Sequence, residues 1–264
     1  MTDAERPIRL VTFDLYDTLI ELKPPRWERL AGVCRRLGIE TDATTLRAAD
    51  RIAEDYYTAE NALRPIRDRP REERDAFRTE HMARWLEAAG LPHDRATAKR
   101  VRGEYISEFE ERPDHRHYQV FPDVMPALRR LRAAGIKTAV ISNADADVTE
   151  LCRHLAFAAE MDLIVTSALV GWEKPDPRTF RAALDPLGVA AADALHVGDQ
   201  PRSDVAGALG VGMRAALLDR YGHHRDAPVT IVRGLGEVGT RVLSAECCEV
   251  RSQKSEVRSD RTAR

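Results

Sequence analysis

Residues 9–19 read Arg-Leu-Val-Thr-Phe-Asp-Leu-Tyr-Asp-Thr-Leu, and this stretch decides the fold. Its first part, Leu10 to Phe13, is a short apolar run with β-branched and aromatic side chains, which is typical of a strand buried in a parallel sheet. The run ends at Asp14. Ligands of open α/β sheets bind in the crevice outside the carboxyl ends of the strands. The stretch therefore predicts a central strand that carries a carboxylate to a ligand-binding edge, although an aspartate at a strand end can also simply begin a turn.

After Pro113 the sequence alternates between strand and helix patterns. The predicted helices cover 123–135, 145–155, 177–187, 203–209 and a last segment that ends near 243. The predicted strands cover 138–143, 163–166, 194–199, 214–218 and 229–233. Such alternation implies right-handed crossovers and one parallel sheet, to which the strand at 10–13 also belongs.

Between these two parts lies a segment with a helical pattern. Apolar residues recur at steps of three and four among many Arg and Glu side chains. Gly and Pro residues divide the segment into four predicted helices, near 25–37, 43–63, 71–89 and 94–111. We therefore predict an α/β core from 1–20 and 115–243, a helical insert at 21–114, and a disordered tail at 244–264, where apolar periodicity is missing.

The composition argues against several classes of protein. The 264 residues are 43% apolar, which is enough for a sizeable core, and the formal net charge is −2. Nucleic-acid binding would need a clear basic excess, and the Arg-rich piece at 64–74 is interleaved with acidic residues. No apolar run approaches the roughly 18 residues of a membrane span, the first residues do not form a secretory signal, and the four cysteines lack metal-ligand spacing. We expect a cytoplasmic protein that binds neither nucleic acid nor membranes.

Polar side chains follow three of the predicted strands. These are Asp14, the pair Ser142 and Asn143, and Asp199. The carboxyl ends of parallel strands share one edge of the sheet, so these residues should meet there. Lys174 lies in the loop between the second and the last of these strands. Together they would form a site with carboxylates, a hydroxyl group and a cation.

The order of these motifs resembles that of the haloacid dehalogenase-like (HAD) hydrolase superfamily, in the branch with a helical cap inserted after the first motif. The four motifs correspond to residues 13–19, 141–143, 174–177 and 198–204. The resemblance covers nearly the whole chain except the tail. It implies a Rossmann-like parallel core with an inserted α-helical cap, and hydrolysis of a small molecule.

The resemblance also implies roles for the residues. Asp14 would be the nucleophile and form an aspartyl phosphate, since a carboxylate becomes a good leaving group in the second step. Mg²⁺ would be bound by Asp14, the backbone carbonyl of Tyr16 and Asp199, with Asp204 behind them to orient the site. Lys174 would neutralise the charge on Asp14 and on the phosphoryl group. The resemblance assigns substrate binding to four residues: Thr18, Ser142, Asn143 and Lys174.

One position departs from the phosphatase pattern. HAD phosphatases carry a second Asp two residues after the nucleophile, which protonates the leaving group and later activates water, but this chain has Tyr16 there. General acid–base help contributes about 10²–10⁴-fold, so alkyl phosphates should be poorer substrates than acyl or aryl phosphates. Asp17 could replace the missing group only if the turn begins early, because otherwise its side chain points elsewhere.

Three functions remain open. A tyrosine at position 16 resembles 2-haloacid dehalogenases, which use the same aspartate without a metal; however, Asp199 and Asp204 resemble a metal-holding pattern, and Arg47 fits poorly as the arginine that holds the haloacid carboxylate. We therefore favour a Mg²⁺-dependent phosphatase that acts on a small phosphorylated metabolite. The third alternative is a weakly active or inactive protein that binds a phosphorylated ligand or a partner. We also expect that two copies could associate through the cap.

Overall fold

The structure is a computed structural model that describes residues 7–110, 114–144, 146–224 and 227–243. Its strands are β1 (Leu10–Phe13), β2 (Ile20–Leu22), β3 (Tyr118–Val120), β4 (Lys137–Ser142), β5 (Leu163–Thr166), β6 (Ala194–Gly198), β7 (Arg214–Leu218) and β8 (Thr230–Val232). Six of them form one parallel sheet in the order β5-β4-β1-β6-β7-β8. The predicted fold class, a parallel α/β core with a helical insert, is confirmed.

Strand β1 lies in the middle of the sheet, between β4 and β6. Its four residues are fully buried. Val11 and Phe13 pack into the apolar core on one face of the sheet, and Leu10 packs into the core on the other face. An apolar run without polar alternation is what burial on both faces requires. The strand therefore places Asp14 at the centre of the carboxyl edge.

The helices are α1 (Arg26–Arg36), α2 (Ala43–Leu63), α3 (Arg71–Ala88), α4 (Arg95–Glu110), α5 (Val124–Ala133), α6 (Thr149–His154), α7 (Ser167–Val170), α8 (Pro177–Leu187), α9 (Gly207–Gly210) and α10 (Leu235–Leu243). The first four correspond to the helices predicted in the insert, and they have an apolar core of their own. The Asp42 side chain caps α2 by accepting a hydrogen bond from the backbone N–H of Thr45 at 2.8 Å. In the part of the chain that the structure describes, no helix combines the length and apolar character needed to cross a membrane.

A small antiparallel pair joins the insert to the core. Strand β2 pairs with β3, with Ile20 opposite Val120. Neither strand was predicted from the sequence, because three-residue strands that pair across a hundred residues carry no local signal. The pairing brings both connections between insert and core side by side.

Other differences concern boundaries. The helix predicted at 145–155 begins only at Thr149. The helix predicted at 203–209 is a π-helical turn, Pro201–Ala206, that continues into α9. Helix α7 was not predicted. The predicted tail at 244–264 lies outside the described residues.

Candidate active site

A buried lysine connects two carboxylates at the carboxyl edge of the sheet. The Lys174 Nζ atom donates to Asp14 Oδ1 and to Asp204 Oδ1, each at 2.6 Å. The lysine side chain is only 1% exposed. Burial alone would lower the pKa of Lys174, but the charges of Asp14 and Asp204 outweigh burial and raise that pKa. The lysine is therefore a fixed ammonium group between two acids.

A third carboxylate completes this cluster. One carboxylate oxygen from each of Asp14, Asp199 and Asp204 lies within 4.8 Å of the other two. Burial raises the pKa of Asp14, Lys174 lowers it and the charge of Asp204 raises it, and together these effects bring the pKa of Asp14 to about 7. Burial, together with the charges of Asp14 and Asp204, raises the pKa of Asp199 well above its usual range. Carboxylates this close repel unless a cation intervenes, and a set of oxygen donors suits Mg²⁺, so these residues fit the predicted metal.

Asp204 is held by more than the lysine. His196 Nε2 lies 3.1 Å from Asp204 Oδ1, and the backbone N–H of Gln200 donates to Asp204 Oδ2 at 2.9 Å. His196 Nδ1 lies 2.8 Å from the hydroxyl oxygen of Thr12. Because a carboxylate only accepts hydrogen bonds, we assign the ring proton to Nε2, so the Thr12 hydroxyl donates to Nδ1. Burial would raise the pKa of Asp204, but Lys174 and His196 lower it, so Asp204 stays an anion.

Steric crowding explains why the residue before Asp199 is a glycine. A Cβ atom at Gly198 would lie 2.2 Å from Cγ of Asp204, which is far inside contact distance. The π-helical turn brings Asp204 back against the end of β6, and only glycine leaves room for this approach. The five-residue spacing between Asp199 and Asp204 thus brings both carboxylates together at the end of β6.

The predicted second and third motifs also contact each other. The Asn143 side chain accepts from the backbone N–H of Lys174 at 2.7 Å and donates to the Lys174 carbonyl at 2.9 Å. This reciprocal pair fixes the loop that carries the lysine. The hydroxyl of Ser142 is buried and has no hydrogen-bond partner among the described residues. The hydroxyl of Thr18 is likewise buried without such a partner, and neither Ser142 nor Thr18 is among the residues that line the main cavity.

The main cavity, about 530 Å³ in volume, lies between this edge of the sheet and helix α2. Tyr16 and Asp17 both line it. The chain turns directly after Asp14, and Asp17 adopts the left-handed conformation with φ of 56°. The Asp17 carboxylate pairs with Arg26 from α1. The turn begins early, so the condition under which Asp17 could face the site is met.

Sequence reasoning missed the residues of α2 that cover the cavity. Glu54, Thr58 and Asn61 line it from one face of the helix. Thr58 donates to the Gln200 side chain at 3.2 Å, and Asn61 donates to Glu173 at 2.9 Å. Their spacing of four and three residues is a polar stripe on an otherwise amphipathic helix, and this signal could have identified them.

Two arginines of the insert differ in their positions. Arg26 lines the cavity, and its guanidinium donates to both carboxylate oxygens of Asp50 at 2.7 Å as well as to Asp17. Arg47, considered above as a ligand for a haloacid carboxylate, instead lies over the rings of Trp27 and Tyr221, 5.4 Å from each centroid. Arg47 is not among the residues that line the main cavity.

A model of the haloacid dehalogenase-like hydrolases matches residues 8–212 of the chain. The chain belongs to this family. It is 32% identical over 216 residues to haloacid dehalogenase-like hydrolase domain-containing protein 3 of Mus musculus, which covers 80% of this chain and 82% of the relative. It is 33% identical over 230 residues to a phosphoserine phosphatase of Thermus thermophilus, covering 81% and 89% of the two chains.

The solved structures add a relative of another activity. The 2-haloacid dehalogenase of Pseudomonas syringae shares 31% identity with this HAD chain and superposes with a TM-score of 0.54, over 91% of this chain and all of the other. The HAD chain is therefore a hydrolase. Because phosphatases and a dehalogenase both match, its reaction has to be inferred from the site.

Proposed function

We propose that this HAD hydrolase is a Mg²⁺-dependent phosphatase that cleaves a small phosphorylated metabolite through an aspartyl phosphate on Asp14. The observation that supports this most is the cluster of Asp14, Asp199 and Asp204, in which one oxygen of each carboxylate lies within 4.8 Å of the other two. A site of three acids and one lysine favours a bound cation and a phosphoryl group. The similarity to the phosphoserine phosphatase of Thermus thermophilus agrees with this proposal.

The same observations disfavour dehalogenation. Asp199 next to the nucleophile would repel the carboxylate of a haloacid unless a cation neutralised it. An arginine would also have to hold that carboxylate. Of the two arginines of the insert described above, Arg47 stacks on Trp27 and Tyr221 and does not line the main cavity. Arg26 is already bound by Asp50 and Asp17. Arg202 lines the main cavity but belongs to the core and not to the insert.

The proposed reaction assigns one task to each residue. The Asp14 carboxylate attacks phosphorus, so an oxygen–phosphorus bond forms to Asp14 while the ester bond to the leaving group breaks. Lys174 stays protonated and neutralises charge on the transferring oxygens. Mg²⁺, held by Asp14, Asp199 and the Tyr16 carbonyl with Asp204 behind them, would supply further neutralisation of that charge.

The phosphoryl group also needs donors from the neighbouring strand. The buried Ser142 hydroxyl and the Asn143 backbone are the proposed donors next to Lys174. The predicted role of Thr18 in substrate binding stays a prediction; like Ser142, Thr18 is buried and does not line the main cavity.

No carboxylate stands in the usual place of the general acid. Tyr16 lines the cavity but is a weak acid, and Asp17 is paired with Arg26. We therefore propose that esters with good leaving groups, such as acyl and aryl phosphates, are the better substrates. If no phosphate ester is turned over, the protein would instead bind a phosphorylated ligand.

A paired screen tests this function. The protein is assayed against aryl, acyl and alkyl phosphates with Mg²⁺ and with a chelator, and against 2-chloropropionate under both conditions. We expect hydrolysis of aryl or acyl phosphates that depends on Mg²⁺. Halide release that the chelator leaves unchanged would replace this proposal with dehalogenation.

The proposal extends to the arrangement of the chain. We propose that 21–114 is the cap over a core formed by 1–20 and 115–243, since α2 contacts Gln200 and Glu173 across the cavity. Association of two copies through the cap and a cytoplasmic location stay predictions.

A further inference from the structure

Neutral aromatic and aliphatic side chains line part of the main cavity. Tyr16 and Tyr118 line it from the core, and Tyr57 lines it from helix α2 of the insert. Val148 and Leu151 add aliphatic surface to the same cavity. A phosphoryl group needs partners that neutralise its charge, and these five side chains do not supply them. This aromatic surface therefore suits the leaving group of a substrate whose phosphoryl group is bound elsewhere in the cavity.

The two rings of the core are held next to the proposed nucleophile. Tyr16 follows Asp14 by two residues, and Tyr118 begins β3, where it pairs with Leu22 of β2. The centroids of the two rings are 5.4 Å apart, and their planes are tilted by 52°. Aromatic rings prefer offset-stacked or edge-to-face neighbours at centroid distances of about 4.5–7 Å. A tilted pair offers both arrangements to a third ring.

Helix α2 contributes a further ring from the other side of the cavity. The ring of Tyr57 packs against Phe77 at a centroid distance of 5.2 Å and meets the ring of His81 edge on, also at 5.2 Å. These contacts hold the tyrosine in place, so little side-chain entropy is lost when a ligand packs against it. A flat group that enters the cavity thus meets tyrosines from the core and from the insert.

The charged side chains that line the cavity disfavour an anionic leaving group. Outside the proposed metal site, the described residues that line it include four carboxylates: Asp17, Glu54, Asp147 and Glu173. Two guanidinium groups stand against them, those of Arg26 and Arg202. Arg26 is already held by Asp17 and Asp50. A leaving group with a further negative charge would therefore be repelled, whereas an uncharged aromatic group would not.

We propose that the substrate is a phosphate monoester of a phenol, whose ring packs against Tyr16 and Tyr118 on one side and Tyr57 on the other. The proposal rests on the phosphatase function proposed above. It selects aryl phosphates over the acyl phosphates that a missing general acid would equally allow, because a small acyl group has no ring for these tyrosines to bind. Tyr118 and Tyr57 determine specificity and take no part in bond cleavage.

Binding of unreactive analogues tests the aromatic surface without chemistry. Benzylphosphonate has the shape of phenyl phosphate but no ester bond, and cyclohexylmethylphosphonate replaces its ring with a saturated one. In calorimetry with Mg²⁺ present, we expect the wild-type protein to bind benzylphosphonate at least about threefold more tightly, within the range that aromatic pairs contribute beyond buried area. Tyr118→Leu should remove most of this preference, and Tyr118→Phe should keep it.

Two further variants make the test independent of any one substitution. Tyr57→Leu changes the ring on the other side of the cavity and should also reduce the preference for benzylphosphonate. Tyr56→Leu is the matched control and should keep the preference, because Tyr56 is the neighbouring tyrosine of α2 but is not among the residues that line the main cavity. Circular dichroism confirms that each variant is folded.

Kinetics separates this proposal from the phosphatase function. The ratio of kcat/KM for phenyl phosphate to that for acetyl phosphate should fall at least about threefold in Tyr118→Leu, since only the phenyl ester loses a ring contact. Hydrolysis of both esters with this ratio unchanged in folded Tyr118→Leu and Tyr57→Leu proteins would overturn the aromatic surface and leave the phosphatase standing. Equal binding of the two phosphonates by the wild type would do the same.

The opposite result is equally distinct. A preference for benzylphosphonate that depends on Tyr118, in a protein that hydrolyses no phosphate ester, would support the aromatic surface as a binding site for aryl groups and reject the phosphatase. If neither phosphonate binds to the wild-type protein in the presence of Mg²⁺, both proposals are rejected.

Discussion

The floor and the roof of the main cavity are built in different ways. The floor consists of four residues at the carboxyl edge of the sheet: Asp14, Lys174, Asp199 and Asp204. Lys174 joins Asp14 and Asp204 through its two hydrogen bonds. The roof consists of side chains on one face of α2 that make single hydrogen bonds to residues beside the floor. Members of a shared network depend on each other, whereas isolated contacts can be removed one at a time. Chemistry should therefore depend on the floor, and the roof should affect mainly substrate binding.

The largest effect is expected from removing the proposed nucleophile. Asp14→Asn keeps the shape of the side chain but cannot form an aspartyl phosphate, so kcat should fall by more than about a hundredfold. Asp185→Asn, on the exposed surface of α8, is the matched control and should retain activity. Residual activity of Asp14→Asn above about a hundredth of wild type would rule out Asp14 as the nucleophile.

The next effect concerns the metal. Asp199→Ala removes one of the crowded carboxylates, so calorimetry should detect Mg²⁺ binding to the wild-type protein and none to the variant. Mg²⁺ should also raise the melting temperature of the wild type only, because a ligand that binds the folded state stabilises it. Hydrolysis by the wild type that is undiminished in chelator would show that the floor works without a metal.

Tyr16 lies where floor and roof meet. If the missing carboxylate limits the reaction, Tyr16→Asp should raise the turnover of alkyl phosphates at least about tenfold, within the range of general acid catalysis. The gain should be smaller for aryl phosphates, whose leaving group hardly needs the proton. Assays of the wild type and of Tyr16→Asp on an alkyl phosphate and on an aryl phosphate measure this difference. A Tyr16→Asp protein no faster on any phosphate ester, with a wild type that dehalogenates 2-chloropropionate, would contradict the phosphatase proposal.

Sequence alone predicted the floor better than the roof, and the reasons are physical. Strand ends in a parallel sheet must share an edge, so Asp14, Asn143 and Asp199 could be brought together without coordinates. Helix α2 was also predicted, with the bounds that the structure has. Which of its faces covers the cavity was not predicted, because the insert has its own apolar core and its helices have to satisfy two neighbours. The polar stripe of Glu54, Thr58 and Asn61 is the one local signal for that face.

Sequence analysis also missed two residues that support the floor from behind, although they carry a signal. Thr12 and His196 are polar residues inside apolar strands, and they stand opposite each other in the register of β1 and β6. Their pairing depends on that register, which no local pattern encodes. Polar residues at such buried positions are unusual enough to be treated as candidates for a network.

A substitution at Thr12 tests how far the floor depends on the buried residues that support it. Thr12→Val removes the hydroxyl that holds His196, and His196 in turn orients Asp204 and Lys174. We expect kcat to fall about fivefold to tenfold, in line with the loss of one buried hydrogen bond, with little change in KM. Thr12→Ser keeps the hydroxyl and should restore most of the activity. An equal loss in both variants would indicate a packing effect rather than a network.

The smallest effect is expected from the roof. Thr58→Val removes one partly buried hydrogen bond to the Gln200 side chain, and neutral hydrogen bonds of this kind contribute about 1 kcal/mol. Thr58 forms no hydrogen bond with Asp14 or Lys174 among the described residues. The change should therefore appear as a rise in KM of about fivefold or less, with kcat for an aryl phosphate nearly unchanged.

Combining Thr58→Val with Thr12→Val then shows whether the roof and the floor act independently or are coupled. Independent regions give a double variant whose loss in kcat/KM is the product of the two single losses. A loss that departs from this product by more than about threefold would show that roof and floor act as one unit.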